Sequence, residues 1–197
     1  MQIILHRLNT VDALQAAPKQ YGVEVDIRSR EQDLIIHHDP FAEGEAFERW
    51  IAAYDHKTLI LNVKEEGLED RLLAQMAKHG INDFFFLDQS FPFLRRTAVR
   101  GERRCAVRVS EYESVETALA LAGQVDWVWV DCFTRWPLTR DDTRRLKTAG
   151  FRLCAVSPEL QGRDAELEIP AYRAMIDQLG VELDAVCTKR ADLWGGA

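Results

Sequence analysis

The 197-residue chain has little of what nucleic-acid-binding, membrane-spanning or secreted proteins depend on. Its 25 Lys and Arg residues are outnumbered by 32 Asp and Glu residues, which gives a net charge of −7. This balance argues against a nucleic acid or an anionic membrane surface as its partner. No apolar run approaches the roughly 18 to 20 residues of a membrane span. Because no basic segment followed by an apolar one opens the sequence, we expect no signal peptide and a cytoplasmic location.

Cysteine pairs and nucleotide-binding motifs are also absent from the sequence. Cys105, Cys132, Cys154 and Cys187 lie far apart and form no Cys-x-x-Cys pair, which argues against a thiolate zinc site or a redox dithiol. Each lies in or beside an apolar run, where a small buried residue belongs, so we expect reduced core cysteines. The sequence contains neither a Gly-x-Gly-x-x-Gly motif nor a P-loop.

What the chain does contain is an alternation of short apolar runs with helical patterns. Alternating strands and helices predict a parallel sheet. Eight such units predict an α/β fold, a compact (β/α)8 TIM barrel with short loops, built as one domain over residues 1–197. An open doubly wound sheet is the alternative. The eight predicted strands are Gln2–Leu5, Val23–Ile27, Thr58–Val63, Asp83–Leu87, Cys105–Val109, Trp127–Val130, Phe151–Val156 and Ala185–Cys187.

Several connecting segments also carry structural signals. Glu43–Tyr54 is predicted to be a helix with one apolar face. Arg28–Asp33 is polar and is predicted to be a turn. Thr139, with Asp142 three residues later, indicates a capping box at the start of another helix.

Chemically active side chains follow the early strands, and a barrel brings the carboxyl ends of its strands together. Two histidines beside Arg and Lys suit displacement at phosphorus, since one imidazole takes a proton and the other gives one while the cations neutralise the phosphoryl oxygens. Glu24 and Asp26 point to the same side of their strand, and paired oxygen ligands suit Mg²⁺ or Ca²⁺. The converging residues are His6, Arg7, Glu24, Asp26, His38, Asn62 and Lys64.

Residues further along the chain extend this set. Arg108 lies inside a strand between two valines and points either into the barrel or toward the helix layer. In the first case, a lumenal cation suits an anionic substrate. Lys189 follows the last strand, and loops after strands seven and eight of TIM barrels frequently hold phosphate. Asp88 and Asp131 end two other strands and are additional candidates.

The order of these residues resembles the glycerophosphodiester phosphodiesterase family, which belongs to the phosphatidylinositol-phospholipase-C-like superfamily of TIM barrels. The similarity lies in His6-Arg7, Asn9-Thr10, Glu24-x-Asp26 and His38-Asp39-Pro40, and extends to Lys64 and Gln89-Ser90-Phe91. It implies that His6 and His38 are the acid/base pair, that Arg7 and Lys64 bind phosphate, and that Glu24 and Asp26 hold a divalent metal. In the family, a substrate hydroxyl beside the phosphate can attack first and give a cyclic phosphate.

Two departures from the family pattern concern the substrate and the metal. Leu8 stands where the family has glycine, and the loop that leads to Asn9-Thr10 is much shorter. Asn62 replaces the glutamate that is normally the third metal ligand. Its amide oxygen is the candidate replacement, with Asp88 or Asp131 as alternatives.

The sequence therefore predicts a metal-dependent phosphoric diester hydrolase that acts on a small soluble, glycerol- or sugar-linked phosphodiester. Two alternatives stay open: a phosphosugar lyase or phosphotransferase that uses the same site, and a non-catalytic barrel that binds a phosphorylated ligand.

Overall fold

A computed structural model describes residues 1–195, and its strands form one curled sheet. The strands are β1 Gln2–Leu5, β2 Gly22–Arg30, β3 Asp33–Ile36, β4 Glu45–Ala46, β5 Leu59–Val63, β6 Phe84–Leu87, β7 Ala106–Val109, β8 Trp127–Val130, β9 Arg152–Val156 and β10 Ala185–Thr188. The α-helices are α1 Val11–Ala16, α2 Phe47–Ile51, α3 Glu69–His79, α4 Phe91–Val99, α5 Val115–Leu119, α6 Arg140–Thr148 and α7 Ala165–Leu179. Two 3-10 helices span Pro158–Gln161 and Ala191–Trp194.

Eight of these strands run parallel in the order β6-β5-β2-β1-β10-β9-β8-β7. The predicted α/β class is confirmed, and so is the alternation of strands with helices. The prediction of a fully closed barrel is not met, because the edge strands β6 and β7 share no ladder. They meet at one isolated bridge between Phe86 and Cys105, where the Phe86 N–H donates to the Arg104 carbonyl.

The seam between β6 and β7 opens toward the carboxyl ends of both strands. A cleft of about 690 Å³, lined by Leu87 and Asp88 on one side and by Arg108 and Tyr112 on the other, lies there. We call it the seam cleft. Strands that diverge around such a space cannot exchange backbone hydrogen bonds, which accounts for the missing ladder.

The segment after β2 differs from its prediction. Arg28–Asp33 is not simply a turn, since β2 continues to Arg30 and pairs antiparallel with β3, from Ile27 with Ile36 to Arg30 with Asp33. β4 then pairs with β3. Its residues belong to the start of the predicted Glu43–Tyr54 helix, so α2 is shorter than predicted. Long-range pairing outweighs local helix propensity there.

Side chains on the inner face of the curled sheet alternate with those that face the helices. An apolar cluster fills the inner face and includes Ile4, Ile60, Phe85, Trp127 and Trp129. Polar residues replace it one or two positions nearer the carboxyl end of each strand. The sheet therefore has an apolar floor and a polar mouth.

Close backbone packing supports the strands that carry the site. A Cβ atom on Gly22 would lie 2.6 Å from the Thr58 carbonyl oxygen and 2.9 Å from Cγ1 of Ile4. Glycine is required because β1, β2 and β5 approach closely at this point.

The cysteines and the capping box agree with their predictions. Cys105, Cys132, Cys154 and Cys187 are all buried free thiols, and Thr139 with Asp142 forms a capping box at the start of α6. No helix within residues 1–195 is both long enough and apolar enough to cross a membrane.

Candidate active site

A cavity of about 120 Å³ lies at the carboxyl ends of the strands, and we call it the strand-end cavity. Trp129 and Val156, both members of the inner apolar cluster, form part of its wall. The predicted site residues that line it are His6, Arg7, Glu24, Asn62, Lys64, Asp88, Arg108 and Asp131. The topology thus brings together residues from six strands or their ends, as the parallel arrangement requires.

Two residues at this mouth have the left-handed backbone conformation that normally favours glycine. Arg7, just after β1, has φ of 59°, and Asp88, just after β6, has φ of 60°. Such conformations cost of order 1 to 3 kcal/mol and concentrate at functional sites. At Arg7, the conformation accompanies a hydrogen bond of 2.6 Å from its N–H to Oε2 of Glu24.

Glu24 and Asp26, which we call the acid pair, are both fully buried. Nδ2 of Asn62 donates to both, at 2.7 Å to Oε1 of Glu24 and 3.1 Å to Oδ1 of Asp26. Asn9 makes a reciprocal pair with Asp26, since its Nδ2 donates to the carboxylate at 2.8 Å and its Oδ1 accepts from the Asp26 N–H at 3.1 Å. Burial, and then the charge of Asp26, raise the pKa of Glu24 to about 8.

Three cations stand around the cavity and share three acids. Nε of Arg7 lies 3.1 Å from Oδ2 of Asp26, and Nζ of Lys64 lies 3.4 Å from Oδ1 of the same residue. Lys64 also binds Asp88 at 3.1 Å. Arg108 pairs with Asp88 and lies 3.5 Å from Asp131. Arg7, Lys64 and Arg108 therefore converge on the cavity, and carboxylates hold each of them in position.

His6 is the imidazole inside the cavity. Its side chain is 15% exposed, and its Nε2 lies 3.8 Å from Oε2 of Glu24. Nδ1 is buried and has no hydrogen-bond partner within residues 1–195. Burial, with the nearby charges of Arg7 and Lys189, lowers the pKa of His6 to about 4. The ring is therefore neutral near pH 7 and is available as a proton acceptor.

His38 lies at the rim instead. It does not line the strand-end cavity in the described part of the chain, and its side chain is 42% exposed with Nδ1 at 2.8 Å from Asp39. The hydrogen bond to His38 is the main cause that lowers the pKa of Asp39. Arg28 fixes this position, because it donates to the His38 carbonyl at 2.9 and 3.1 Å and to the Lys64 carbonyl at 3.0 Å.

Sequence reasoning missed Arg28, although the pattern contains a signal for it. Arg28 lies two residues beyond Asp26 and four beyond Glu24 on the same strand, so that alternation places all three on one side. It also missed Gln161, whose Nε2 donates to Asp131 at 2.6 Å. No local pattern points to Gln161, because a 3-10 helix after β9 brings it to the cavity.

Two further predicted residues, Asp131 and Lys189, lie near these groups. Asp131 is 4% exposed and also accepts the Cys132 N–H at 2.9 Å. Burial is the main cause that raises its pKa. Lys189 is exposed after β10, with its N–H donating to Glu159 at 2.9 Å, and it is close enough to His6 for its charge to act there.

The donor atoms do not fit the predicted divalent cation. Asn62 presents its amide nitrogen to the acid pair, whereas a metal ligand must present oxygen. Among residues 1–195, no group of three or more His, Cys, Asp and Glu side chains is arranged to hold a metal. Mg²⁺ or Ca²⁺ at Glu24, Asp26 and Asn62 stays a prediction from the resemblance.

Comparisons with known proteins found matches among solved structures alone. No protein-family model matches the chain, and no curated protein sequence matches it either. Among solved structures, it is similar to a glycerophosphodiester phosphodiesterase from Agrobacterium tumefaciens, with TM-score 0.64 and 14% identity over 98% of this chain and 97% of that one. It is also similar to a glycerophosphoryl diester phosphodiesterase from Parabacteroides distasonis, with TM-score 0.68 and 14% identity over 98% and 86% of the two chains.

A third similar structure belongs to a different enzyme, so the likeness indicates a shared fold and not a shared function. A mutant tryptophan synthase α-subunit from Pyrococcus furiosus matches with TM-score 0.55 and 11% identity, over 98% of this chain and 88% of that one. The predicted resemblance to glycerophosphodiester phosphodiesterases is confirmed as a shared fold. Function must be argued from the site itself.

Proposed function

We propose that the chain is a phosphoric diester hydrolase that acts on a small soluble phosphodiester. One observation carries the proposal: Arg7, Lys64 and Arg108 surround a small cavity that also contains the largely enclosed, neutral imidazole of His6. Cations around a confined space favour a phosphoryl group, whose charge they neutralise as it reacts. A neutral imidazole in the same space supplies a proton acceptor.

The proposed reaction is an in-line displacement with two proton transfers. A water molecule attacks phosphorus, a new P–O bond forms, and the proton of the water passes to His6. The bond from phosphorus to one alcohol oxygen breaks, and His38 gives that oxygen a proton. The hydrogen bonds from Arg28 to the His38 carbonyl keep the donor at the rim, where the leaving alcohol departs.

The seam cleft is the proposed place for one alcohol group of the substrate. It shares Leu87, Asp88 and Arg108 with the strand-end cavity, so a phosphate in the cavity lies at the entrance of the cleft. Ser90 and Ser114 line the cleft beside apolar residues. Glycerol- and sugar-linked diesters have the matching mixture of hydroxyl and hydrocarbon surface.

The test is a panel of glycerol- and sugar-linked diesters incubated with the enzyme in ¹⁸O-labelled water and followed by ³¹P NMR. A monoester that contains one labelled oxygen supports hydrolysis. A cyclic phosphate without label identifies the lyase alternative, and binding without turnover identifies the non-catalytic one. A panel that is neither bound nor turned over contradicts the proposal.

Replacing Arg108 with methionine should raise KM for the best diester about tenfold, equivalent to about 1.4 kcal/mol of binding. The reason is that Arg108 is one of the three cations facing the phosphate, while Asp88 keeps its pair with Lys64. Steady-state kinetics measures the effect. The matched control is Arg104→Met, since Arg104 lies at the other end of β7 with a similar exposure. Equal kinetic effects in both variants would contradict a phosphate-binding role.

A further inference from the structure

Each carboxylate oxygen of the acid pair already accepts a hydrogen bond or an ion pair from the protein. Asn62 donates a hydrogen bond to Oε1 of Glu24, and the Arg7 N–H donates one to Oε2. Asn62 and Lys64 face Oδ1 of Asp26, and Asn9 and Arg7 face Oδ2. A metal would therefore have to share every one of these oxygens with a donor that is already in place.

Positive charge already faces the acid pair. The guanidinium of Arg7 and the ammonium of Lys64 each lie within 3.4 Å of Asp26. A buried carboxylate is stable only when it is paired, and both of these partners of Asp26 come from the chain itself. A divalent cation would add two positive charges beside two that are already there, in a space shielded from water.

Turning over the Asn62 amide does not remove the conflict. Its oxygen is buried and has no hydrogen-bond partner within residues 1–195. A reversed amide would bring that oxygen against both carboxylates and lose two hydrogen bonds of 2.7 and 3.1 Å. Oxygen against oxygen requires a proton or a metal cation between them, and Lys64 and Arg7 would repel a metal cation.

We propose that this centre works without a divalent cation, because Arg7 and Lys64 supply the positive charge beside the acid pair and the neutral Asn62 amide donates hydrogen bonds to it. The inference rests on the proposed function only for its catalytic part. Asn62 is then the position that decides the question: an acid there would restore a third carboxylate and create demand for a cation.

The first test measures metal binding without substrate. After treatment with EDTA and dialysis, the thermal unfolding midpoint and the calorimetric heat of the wild-type chain are expected not to respond to Mg²⁺, Ca²⁺ or Mn²⁺. Asn62→Glu is expected to have a lower midpoint without metal and a midpoint that rises with metal concentration, because bound ligand stabilises the folded state. Asn62→Asp is the second variant in case the longer side chain prevents folding. Asn82→Glu, at an exposed asparagine before β6, is the matched control.

The outcomes separate this inference from the proposed function. Saturable metal binding by the wild-type chain that is lost in Glu24→Gln overturns the inference, and so do two folded Asn62 variants that bind no metal. Diesterase activity that is lost in EDTA and restored by metal overturns it too, while leaving hydrolysis intact. A chain that binds no metal and hydrolyses no diester instead refutes the proposed function alone.

Discussion

Replacing His6 with glutamine is expected to lower kcat/KM for a diester by about 10²- to 10⁴-fold, the usual contribution of a positioned acid or base. His6 is the only histidine that lines the strand-end cavity in residues 1–195. Glutamine keeps polarity and bulk but cannot exchange a proton near neutral pH. Circular dichroism should show an unchanged fold. The matched control is His56→Gln, because His56 is a buried histidine before β5, at the opposite end of the sheet.

The pH profile gives a second measurement of the same role. Burial and the charges of Arg7 and Lys189 lower the pKa of His6 to about 4. A base with that pKa stays unprotonated above about pH 5, so kcat/KM should remain level well below about 6.5, the ordinary histidine value. The acid limb should begin only near the shifted pKa. A rate that falls tenfold per pH unit below about 6.5 would show that the base has an ordinary histidine pKa, which contradicts the shifted value at His6.

The same shift predicts a change in stability. Between the folded pKa of about 4 and the unfolded value of about 6.5, the unfolded chain binds a proton at His6 and the folded chain does not. The free energy of unfolding therefore falls as pH drops through this window, by about 3 kcal/mol in total. Urea unfolding should show this loss in the wild-type chain relative to His6→Gln. Equal losses in both chains would contradict the shifted pKa.

The sequence predicts well what depends on alternation along one strand. Glu24 and Asp26 share a side because side chains on a strand alternate, and the same rule places Asn62 and Lys64 together. The ends of parallel strands meet at one edge, so most predicted residues reach one cavity. These parts of the site follow from local geometry and need no knowledge of distant contacts.

The parts that sequence does not predict depend on contacts between distant segments. The Asn62 amide turns its nitrogen to the acid pair because of charges on other strands and loops, which no local pattern records. The β2–β3 hairpin extends β2 through its polar residues, and the Ser29 N–H donates to Glu65, 36 positions away along the chain. Strands β6 and β7 form no ladder because these two short strands diverge at the seam cleft.

Replacing Lys64 with methionine is expected to affect both activity and stability, since this ammonium serves two acids. Its Nζ lies 3.4 Å from the fully buried Asp26 and 3.1 Å from Asp88, and its side chain is 15% exposed. We expect kcat/KM to fall by about 10²- to 10³-fold, the effect of removing a preorganised charge stabiliser. We expect a loss of about 3 kcal/mol in unfolding free energy, because a buried carboxylate loses one partner.

The control for this variant is Lys147→Met. Lys147 pairs with Asp184 at 2.7 Å and is 31% exposed, at the amino-terminal ends of the strands. Its removal should cost about 1 kcal/mol or less, since a partly exposed ion pair contributes little, and should leave kcat/KM unchanged. Urea unfolding and kinetics on chains shown to be folded separate the two effects. If Lys64→Met behaves like Lys147→Met in both measurements, Lys64 contributes neither to charge balance nor to the phosphate site.

The double variant Lys64→Met/Asp88→Asn distinguishes charge balance from catalysis. Removing the Asp88 carboxylate together with the Lys64 ammonium cancels one lost pair, so part of the stability should return. Activity should not return, because the cavity still lacks one of its three cations. Arg108 also loses its Asp88 partner in this variant and keeps only Asp131, at 3.5 Å. If Asp88→Asn alone keeps kcat/KM, a recovery of stability without a recovery of kcat/KM in the double variant assigns Lys64 a direct role at the phosphate, in addition to its pairing with the buried acid.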